Sequence, residues 1–183
     1  MKGENDKWKK KTMDKIYFKN EEWLCHCGCG CGIEYMDKDF VKNMNEFREL
    51  INRPIILTSP YRCLKHNKEV GGLCRYGERG LHKISYHVHG LASDFSIKEK
   101  SLLHIVYKLA ISSGLFKGIG LSLAKGFIHA DIGTTFERYW IYEFTGGTRP
   151  LNGKTVNEIM ENGTEYYLKQ LGSPDPEKWS KWD

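Results

Sequence analysis

The sequence contains no long hydrophobic run, and no apolar segment follows its basic beginning. No stretch approaches the roughly 18–20 apolar residues that a membrane-spanning helix needs. The first residues, MKGENDKWKKKTMDK, are positively charged but lack the apolar core of a secretory signal peptide. We therefore expect no membrane insertion, and synthesis in a cytoplasm followed by release if the protein acts outside the cell.

Internal repeats and nucleic-acid-binding motifs are also missing from the sequence. The net charge is +5, and three lysines are adjacent at residues 9–11. This basic segment can be a solvated tail, or it can favour a polyanion such as bacterial cell wall. Elsewhere basic and acidic residues are interleaved, and there is no recognition helix. Nucleic acid is therefore not an expected partner.

The 183 residues, 40% hydrophobic and 28% charged, are typical of one globular domain. Apolar residues at helical spacing predict one helix that Asp37 caps and a second at about residues 101–113, with Leu109 buried. A short polar helix is expected around residues 63–70, followed by a loop up to Tyr86. The segments "IILTS", "GLASDFSI", "KGIGLSL", "GFIHADIG" and "RYWIYEF" are predicted strands. This pattern predicts an α+β fold, with helices packed on a small, mostly antiparallel sheet.

The expected domain covers residues 1–147, of which residues 1–17 form an irregular basic N-terminus. The composition changes after Gly147, and residues 148–183 are expected to form a C-terminal helical extension. Its helix is predicted at about residues 156–171. The extension can be an extra helix on the same domain or a small wall-binding appendage.

Two segments carry residues in a pattern that suits a catalytic zinc site. "SYHVHGLASDF" contains His87 and Asp94, and "FIHADIG" contains His129. If the two strands are neighbours, Asp94 and His129 converge on one sheet face, and His87 approaches from the preceding loop. Two imidazoles and one carboxylate, with a fourth position for water, form the ligand set of a catalytic zinc site. Each histidine taken alone also fits a surface or hydrogen-bonded residue.

The order of three motifs resembles a known family. "S-P-Y-R-C…N…V-G-G" is followed by "S-x-H-x-x-G-x-A-x-D" and then by "G-I-G…F-I-H-x-D". Over about residues 18–144 the chain resembles the zinc D-Ala-D-Ala carboxypeptidase family of murein peptidases, which includes phage endolysins and vancomycin-resistance dipeptidases. The resemblance implies the fold shared with the hedgehog signalling domain, zinc as the cofactor, and His87, Asp94 and His129 as its ligands.

The same resemblance implies roles for residues around the metal. Arg62 stands where the family has an arginine that can hold a substrate carboxylate, a task that suits a guanidinium group. A structural ion pair is the alternative role of Arg62. Asn67 and Ser85 are expected to shape the same substrate-binding wall. The loop "LCRYGERGLHKI" is longer than is usual in the family, so the substrate preference of relatives is not transferred.

The general base departs from the family pattern. Several relatives have Glu or Asp three residues before the last zinc histidine, where this sequence has Gly126. Asp131 shares a strand face with His129, and His89 lies two residues after His87, so either is a candidate to accept a proton from water. Asp131 is the preferred candidate, and its alternative role is to orient a ligand histidine.

The segment "CHCGCGCG" is a second candidate metal site. Its cysteines are Cys25, Cys27, Cys29 and Cys31. Thiolates this dense can bind a structural metal, with Cys63 or Cys74 able to complete the site. The C-x-C spacing differs from the usual C-x-x-C knuckle, so later disulfides and free thiols are alternatives.

The ligand pattern and the family resemblance together imply a zinc peptidase that hydrolyses a peptide bond in peptidoglycan stem peptides or cross-bridges. We expect a monomer that acts on the cell wall after release, in phage lysis or as part of a virion. The alternative is a non-catalytic zinc-binding module on the same fold, because the usual base is missing. A zinc finger for nucleic acid would need a basic helix after the cysteines, and the helix that Asp37 caps has balanced charge.

Overall fold

The computed structural model describes residues 16–77, 80–142 and 148–151. Most of the predicted basic N-terminus, and the helix predicted at about residues 156–171, lie outside the described residues and stay predictions. The described chain contains three α-helices, α1 (Lys38–Leu50), α2 (Leu64–Glu69) and α3 (Leu103–Ser113). Short 3-10 turns occur at Asn20–Trp23, Ile33–Tyr35 and Lys100–Leu102.

Eight strands in two sheets complete the described fold. They are β1 (Ile56–Ser59), β2 (Cys74–Gly77), β3 (Gly80–Ile84), β4 (Ala92–Ser96), β5 (Gly118–Ser122), β6 (Phe127–Asp131), β7 (Arg138–Tyr142) and β8 (Thr148–Leu151). The strands predicted from "IILTS", "GLASDFSI", "KGIGLSL", "GFIHADIG" and "RYWIYEF" are all present, as β1, β4, β5, β6 and β7.

Six strands form the main sheet, in the order β1-β4-β6-β5-β7-β8. Because β6 is flanked by β4 and β5, β7 joins the other edge of β5, and it runs parallel to β5 there. The remaining pairs are antiparallel. The fold is α+β as predicted, but the sheet is mixed, which corrects the expectation of a mostly antiparallel sheet.

Strands β2 and β3 form a separate antiparallel pair in the segment that was expected to be a loop up to Tyr86. That expectation is wrong because it rested on side chains alone. The segment is rich in glycine and charged residues and shows no apolar alternation, whereas the hairpin depends on backbone pairing. The pair is continued by a hydrogen bond from the Ser85 amide to the Leu73 carbonyl, at 2.9 Å.

Helix α1 begins at the predicted cap. The carboxylate of Asp37 accepts hydrogen bonds from the amides of Asp39 and Phe40, at 2.9 and 3.1 Å. Such a cap satisfies amides that have no partner within the helix. Phe40, Met44 and Phe47 follow at helical spacing and are fully buried. The ring of Phe47 packs edge-on against that of Phe95 in β4, which fixes α1 on the sheet.

Helix α3 covers the same face of the sheet. Its buried residues recur at positions i, i+3, i+4 and i+7, which is the stripe of an amphipathic helix. They are Leu103, Val106, Tyr107 and Ala110. Leu109 lies outside this stripe and is 38% exposed, so the expectation that it is buried is wrong. No helix among the described residues is long and apolar enough to cross a membrane.

The two faces of the central strands differ in chemistry. Phe95, Ile119, Leu121, Ile128 and Ala130 are fully buried in the core under the helices. Successive side chains of a strand point to opposite faces. The alternate positions on β4, β5 and β6 therefore project from the face away from the helices, and these positions hold the carboxylates, the histidine and the glycines of the three motifs.

Candidate metal centre

Strand register brings two of the expected zinc ligands side by side. Strands β4 and β6 pair so that Asp94 lies directly opposite His129. His87 lies in the turn that precedes β4, and all three side chains are buried. The adjacency that the sequence argument required between these two strands is thus present in the structure.

The three ligand atoms converge on one point. The Nδ1 atom of His129 lies 2.8 Å from Oδ1 of Asp94 and 3.2 Å from Nε2 of His87. Nε2 of His87 lies 3.3 Å from the same carboxylate oxygen. Ligands bound to zinc at about 2.0–2.1 Å in a tetrahedral arrangement lie about 3.3 Å from one another. The donor set and its spacing therefore fit a zinc ion.

The opposite nitrogen of each histidine is anchored. Nδ1 of His87 lies 3.0 Å from the carbonyl oxygen of Pro60, which can only accept a hydrogen bond, so Nδ1 carries the proton and Nε2 is free of it. Nε2 of His129 lies 3.2 Å from Oδ2 of Asp131. Hydrogen bonds of this kind fix the ring orientation and the tautomer of metal-binding histidines.

The charges in the cluster suit a cation. Burial lowers the pKa of His87, so its ring is neutral near neutral pH. Burial works against the charged form of Asp94, but the hydrogen bond and the positive charge of the His129 ring hold its pKa below the usual range. Burial also opposes the charged form of His129, yet hydrogen bonds to Asp131 and Asp94 raise its pKa to about 9.

Arg62 lies against the metal-binding carboxylate. Its guanidinium donates to Oδ2 of Asp94 at 2.5 Å and to Oγ of Ser59 at 2.7 Å. The side chains of Arg62 and Asp94 are 14% and 10% exposed. This geometry corresponds to the structural ion pair, one of the two roles that the sequence left open, and it leaves Oδ1 of Asp94 directed at the two histidines.

Asp131 is enclosed by polar partners and is 1% exposed. Its two oxygens lie 2.7 and 2.8 Å from one guanidinium nitrogen of Arg138, and Oδ1 also accepts from the Gly133 amide at 3.0 Å. Burial opposes its charged form, but His129 and then Arg138 hold the pKa of Asp131 below its usual range. A carboxylate engaged in this way suits the orientation of His129 better than the acceptance of a proton from water.

Two glycines of β5 make room for the neighbours of His129. Gly120 lies opposite both His129 and Trp140, and Gly118 lies opposite both Asp131 and Arg138. A Cβ atom at Gly120 would collide with the Trp140 ring, and one at Gly118 with the Asp131–Arg138 pair. The "G-I-G" motif therefore allows these side chains to cross the strand.

Arg138, Trp140 and Tyr142 are site residues that the sequence reasoning missed. They share one face of β7, and the rings of Trp140 and His129 have centroids 5.2 Å apart. Burial, and next to it the charge of Asp94, raises the pKa of Tyr142 to about 12, so its phenol stays protonated and can donate a hydrogen bond. The alternation in "RYWIYEF" was the signal that could have placed these side chains beside His129.

A cleft of about 1050 Å³ opens over this face of the sheet. His129 and Asp131 line it together with Ser85, Tyr86, His89, Phe136, Arg138, Trp140 and Tyr142. His89 is exposed to solvent there. Asn67 lies outside this lining: it is fully buried, and its amide donates to the Leu73 carbonyl at 3.1 Å. Of the two residues expected on the substrate wall, the structure brings Ser85 to the cleft and Asn67 to the turn behind it.

The cysteines form a second cluster. The sulfur atoms of Cys25, Cys27, Cys29 and Cys63 all lie within 4.8 Å of one another. Three members of the cluster expected from the sequence are therefore present, and Cys63 takes the place of Cys31.

Comparisons with known proteins found relatives for about half of this chain. The peptidoglycan L,D-endopeptidases MepK of Escherichia coli K12 and of Shigella flexneri are each 35% identical to this chain over 88 residues. The alignment covers 48% of this chain and 44% of each relative, so it spans less than half of the length of these curated relatives. No solved structure matches the chain.

The Peptidase M15 family model matches residues 16–131. This stretch runs from the first described residue to the end of β6. It therefore includes every residue of the His87, Asp94 and His129 cluster together with Asp131. The chain belongs to the Peptidase M15 family.

Proposed function

We propose that the chain is a zinc-dependent peptidase that hydrolyses a peptide bond in peptidoglycan stem peptides or cross-bridges. The observation that carries this proposal is the convergence of His87 Nε2, His129 Nδ1 and Asp94 Oδ1 beside a cleft large enough for a peptide. When bound there, zinc would polarise a carbonyl and acidify water, which is the chemistry that amide hydrolysis needs.

The residues around the ligands would prepare them for the metal. Asp131 holds the ring of His129, and Pro60 holds the ring of His87, so neither ligand has to turn on binding. Arg62 fixes the other oxygen of Asp94. Each of the three expected zinc ligands is thus held in place by a residue next to it.

We assign proton transfer to His89 and the orienting role to Asp131. His89 is exposed in the cleft, whereas the oxygens of Asp131 are occupied by His129, Arg138 and the Gly133 amide. An imidazole is the side chain that most often serves as a general base at neutral pH. Tyr142, protonated and in the same cleft, would donate a hydrogen bond to the oxygen that becomes negative during the reaction.

The composition of the cleft supports a peptide as the substrate. Its lining carries both charges: Arg138, with 32% of its side chain exposed, pairs with Asp131, while Lys83 offers a cation and Glu137 an anion to groups of the substrate. Trp140 and Tyr142 supply apolar area for the peptide backbone. Peptidoglycan stem peptides are acidic, and the relatives are named L,D-endopeptidases, which favours cleavage within a peptide over removal of a terminal residue.

The proposal also covers the extent of the domain, the oligomeric state and the place of action. We propose a hedgehog-type peptidase domain that comprises the expected residues 1–147 together with strand β8, followed by the helical extension, and a monomer that acts on the cell wall. Strand β8 pairs with β7, so the first residues after Gly147 continue the sheet. The compared relatives are bacterial proteins, and a role in phage lysis rests on the family resemblance alone.

Mass spectrometry of purified muropeptides tests the activity. Wild-type protein with zinc is expected to give a peptide-cleaved product, and His129→Ala is expected to give none. The matched control is His104→Ala, which removes a histidine of α3 from outside the cleft lining. Equal cleavage by His129→Ala and wild type would contradict the proposed site.

A non-catalytic zinc module on the same fold is the second candidate function. Gly126 stands where the family resemblance implies an acidic base in several members, and Asp131 is engaged by other residues. If zinc-loaded wild type cleaves muropeptides from no wall type while metal analysis shows a full site, this second function replaces the first.

A further inference from the structure

The cysteine-rich segment folds back on itself beside the start of α2. The Cys25 amide donates to the Cys31 carbonyl at 2.7 Å, and the Gly28 amide donates to the Cys25 carbonyl at 3.3 Å. Gly28 and Gly30 have φ angles of 73° and 80°, in the left-handed region that glycine adopts readily. With this fold of the segment, the side chains of Cys25, Cys27 and Cys29 lie beside Cys63, the residue that caps α2.

Four sulfur atoms meet at this point. Sγ of Cys27 lies 3.4 Å from Sγ of Cys25 and 3.5 Å from Sγ of Cys63, and Cys29 completes the group. Zinc–sulfur bonds of about 2.3 Å in a tetrahedron place the sulfur atoms about 3.8 Å apart. The separations are too long for disulfide bonds, since bonded sulfur atoms lie about 2.05 Å apart.

Backbone amides point at two of the sulfur atoms. The Cys63 amide donates to Sγ of Cys25, and the His66 amide donates to Sγ of Cys63, both at 3.4 Å. An amide that points at sulfur stabilises the negative thiolate, which is the form that binds metal. Cys25 is buried, whereas Cys27 and Cys29 are exposed, so a metal ion can reach the group from solvent.

We propose that Cys25, Cys27, Cys29 and Cys63 bind a structural zinc ion. Each sulfur would bind as its thiolate, so binding would release the proton of every ligand thiol that is still protonated. Cys31 contributes its carbonyl to the fold of the loop, and its sulfur lies outside the group of four. The ligand set therefore differs from the run of four neighbouring cysteines expected from the sequence.

This zinc ion would connect distant parts of the chain. Cys63 follows Arg62, which pairs with Asp94 of the candidate catalytic site. The other ligands belong to a segment more than thirty residues earlier in the chain. Binding would thus fasten the N-terminal segment to the loop that carries Arg62 and stabilise the folded state, because the four sulfur atoms are not held together in the unfolded chain.

Cobalt(II) titration of the reduced, metal-free full chain tests the site, because cobalt bound to thiolates gives a sulfur-to-metal charge-transfer band in the near ultraviolet. We expect the band in wild type and its loss when zinc is added. Cys63→Ser and Cys27→Ser are expected to lose most of the band and one equivalent of bound metal. Cys27 is exposed, so its substitution tests the site even if Cys63→Ser does not fold.

The controls separate this site from the candidate catalytic one. Cys31→Ser and Cys74→Ser are expected to keep the full band, and so is His129→Ala, since no thiolate belongs to the histidine site. Absence of the band in wild type would overturn the proposal. A full band in Cys27→Ser, or loss of the band in Cys31→Ser, would overturn the ligand set, and iron in place of zinc in the purified protein would overturn the metal.

Discussion

Asp131 and His129 form a pair whose role can be tested directly. Asp131→Asn keeps the size of the side chain but removes its negative charge. The carboxylate that pairs with Arg138 and accepts a hydrogen bond from His129 is thereby lost. We expect zinc affinity at the histidine site to fall roughly 10–100-fold, because partners that hold a ligand ring contribute about this much. Competition with a chromophoric zinc chelator measures the change.

The matched substitution is His89→Gln, which alters the cleft without touching a ligand. It should leave zinc affinity unchanged and lower turnover of muropeptides by roughly 10²–10⁴-fold if His89 is the base. The roles are reversed from our assignment if Asp131→Asn retains zinc and loses turnover while His89→Gln stays active.

Arg62 provides a second test at the scale of single residues. Arg62→Ala removes one of the two cationic partners of the buried Asp94 carboxylate and leaves it with His129 alone. In metal-free protein we expect a loss of about 3–5 kcal/mol in the free energy of unfolding, the usual result of removing one partner of a buried pair. Bound zinc should reduce this loss, since it supplies another positive charge. Urea unfolding with and without zinc measures both values.

Arg62→Lys is the control, because lysine keeps the charge but cannot reach Ser59 and Asp94 with one planar group. An intermediate stability is expected. Unchanged stability of Arg62→Ala together with a raised KM would instead support the role that the family resemblance implied, in which Arg62 holds a substrate carboxylate.

Much of the site at this scale was accessible from the sequence. The period-two spacing of His129 and Asp131, and the apolar residues between them, indicated a strand with one polar face. The partners of Asp131 and Asp94 were not accessible, because Arg138 and Arg62 reach them through strand pairing and a loop. Residues that meet only by tertiary contact, as Cys63 meets Cys27, leave no periodic signal.

At the scale of elements, the turn that carries His87 depends on Gly90. This residue has a φ angle of 70°, and its carbonyl accepts from the Asp37 amide at 3.0 Å. A Cβ atom there would collide with the backbone of Tyr35. The turn before β4 is thereby packed directly on the segment that leads into α1.

We expect Gly90→Ala to lower the free energy of unfolding by about 3 kcal/mol or more, from backbone strain of about 1–2 kcal/mol and additional steric displacement. Gly114→Ala is the matched control, since Gly114 has a similar φ angle of 66° but no atom within 4 Å of the added Cβ. That control should lose only about 1–2 kcal/mol. Equal losses in the two variants, measured by urea unfolding, would show that the contact with Tyr35 is unimportant.

The elements themselves were predicted well where side chains decide them. Helix α1 and strands β4 and β6 have clear apolar periodicity, and each was expected within a few residues of its position. The β2–β3 hairpin has no such pattern and was missed. The parallel β5–β7 pair was missed for another reason: local alternation reveals a strand but not the edge that it joins.

At the scale of the whole molecule, the two faces of the main sheet have different roles: one forms the apolar core and the other carries the candidate site. Its one face is covered by α1 and α3 and forms the apolar core, while the other face holds the charged residues. The expected zinc ligands lie on two adjacent central strands and in one packed turn. Because these elements pack on the core, they hold the ligand side chains in fixed positions. Unfolding and metal release should therefore be linked.

Protonation of His129 links zinc binding to pH. In metal-free protein the pKa of His129 is raised to about 9 by its hydrogen bonds to Asp131 and Asp94 against the effect of burial, so the ring is charged at neutral pH. Zinc needs the lone pair of Nδ1, and this proton must leave. Affinity should rise roughly tenfold per pH unit from about pH 7, where the ring is protonated, and level off near pH 9.

Calorimetry in buffers of different protonation enthalpy measures the proton released for each zinc. The Cys27→Ser background removes the contribution of the cysteine site, and about one proton per zinc is expected at neutral pH. Asp131→Asn removes the first of the hydrogen bonds that raise this pKa, so it should release less. Zinc binding without proton release in the Cys27→Ser protein would mean that the ring of His129 is already neutral, with its one proton on Nε2 donated to Asp131 and its Nδ1 free for the metal.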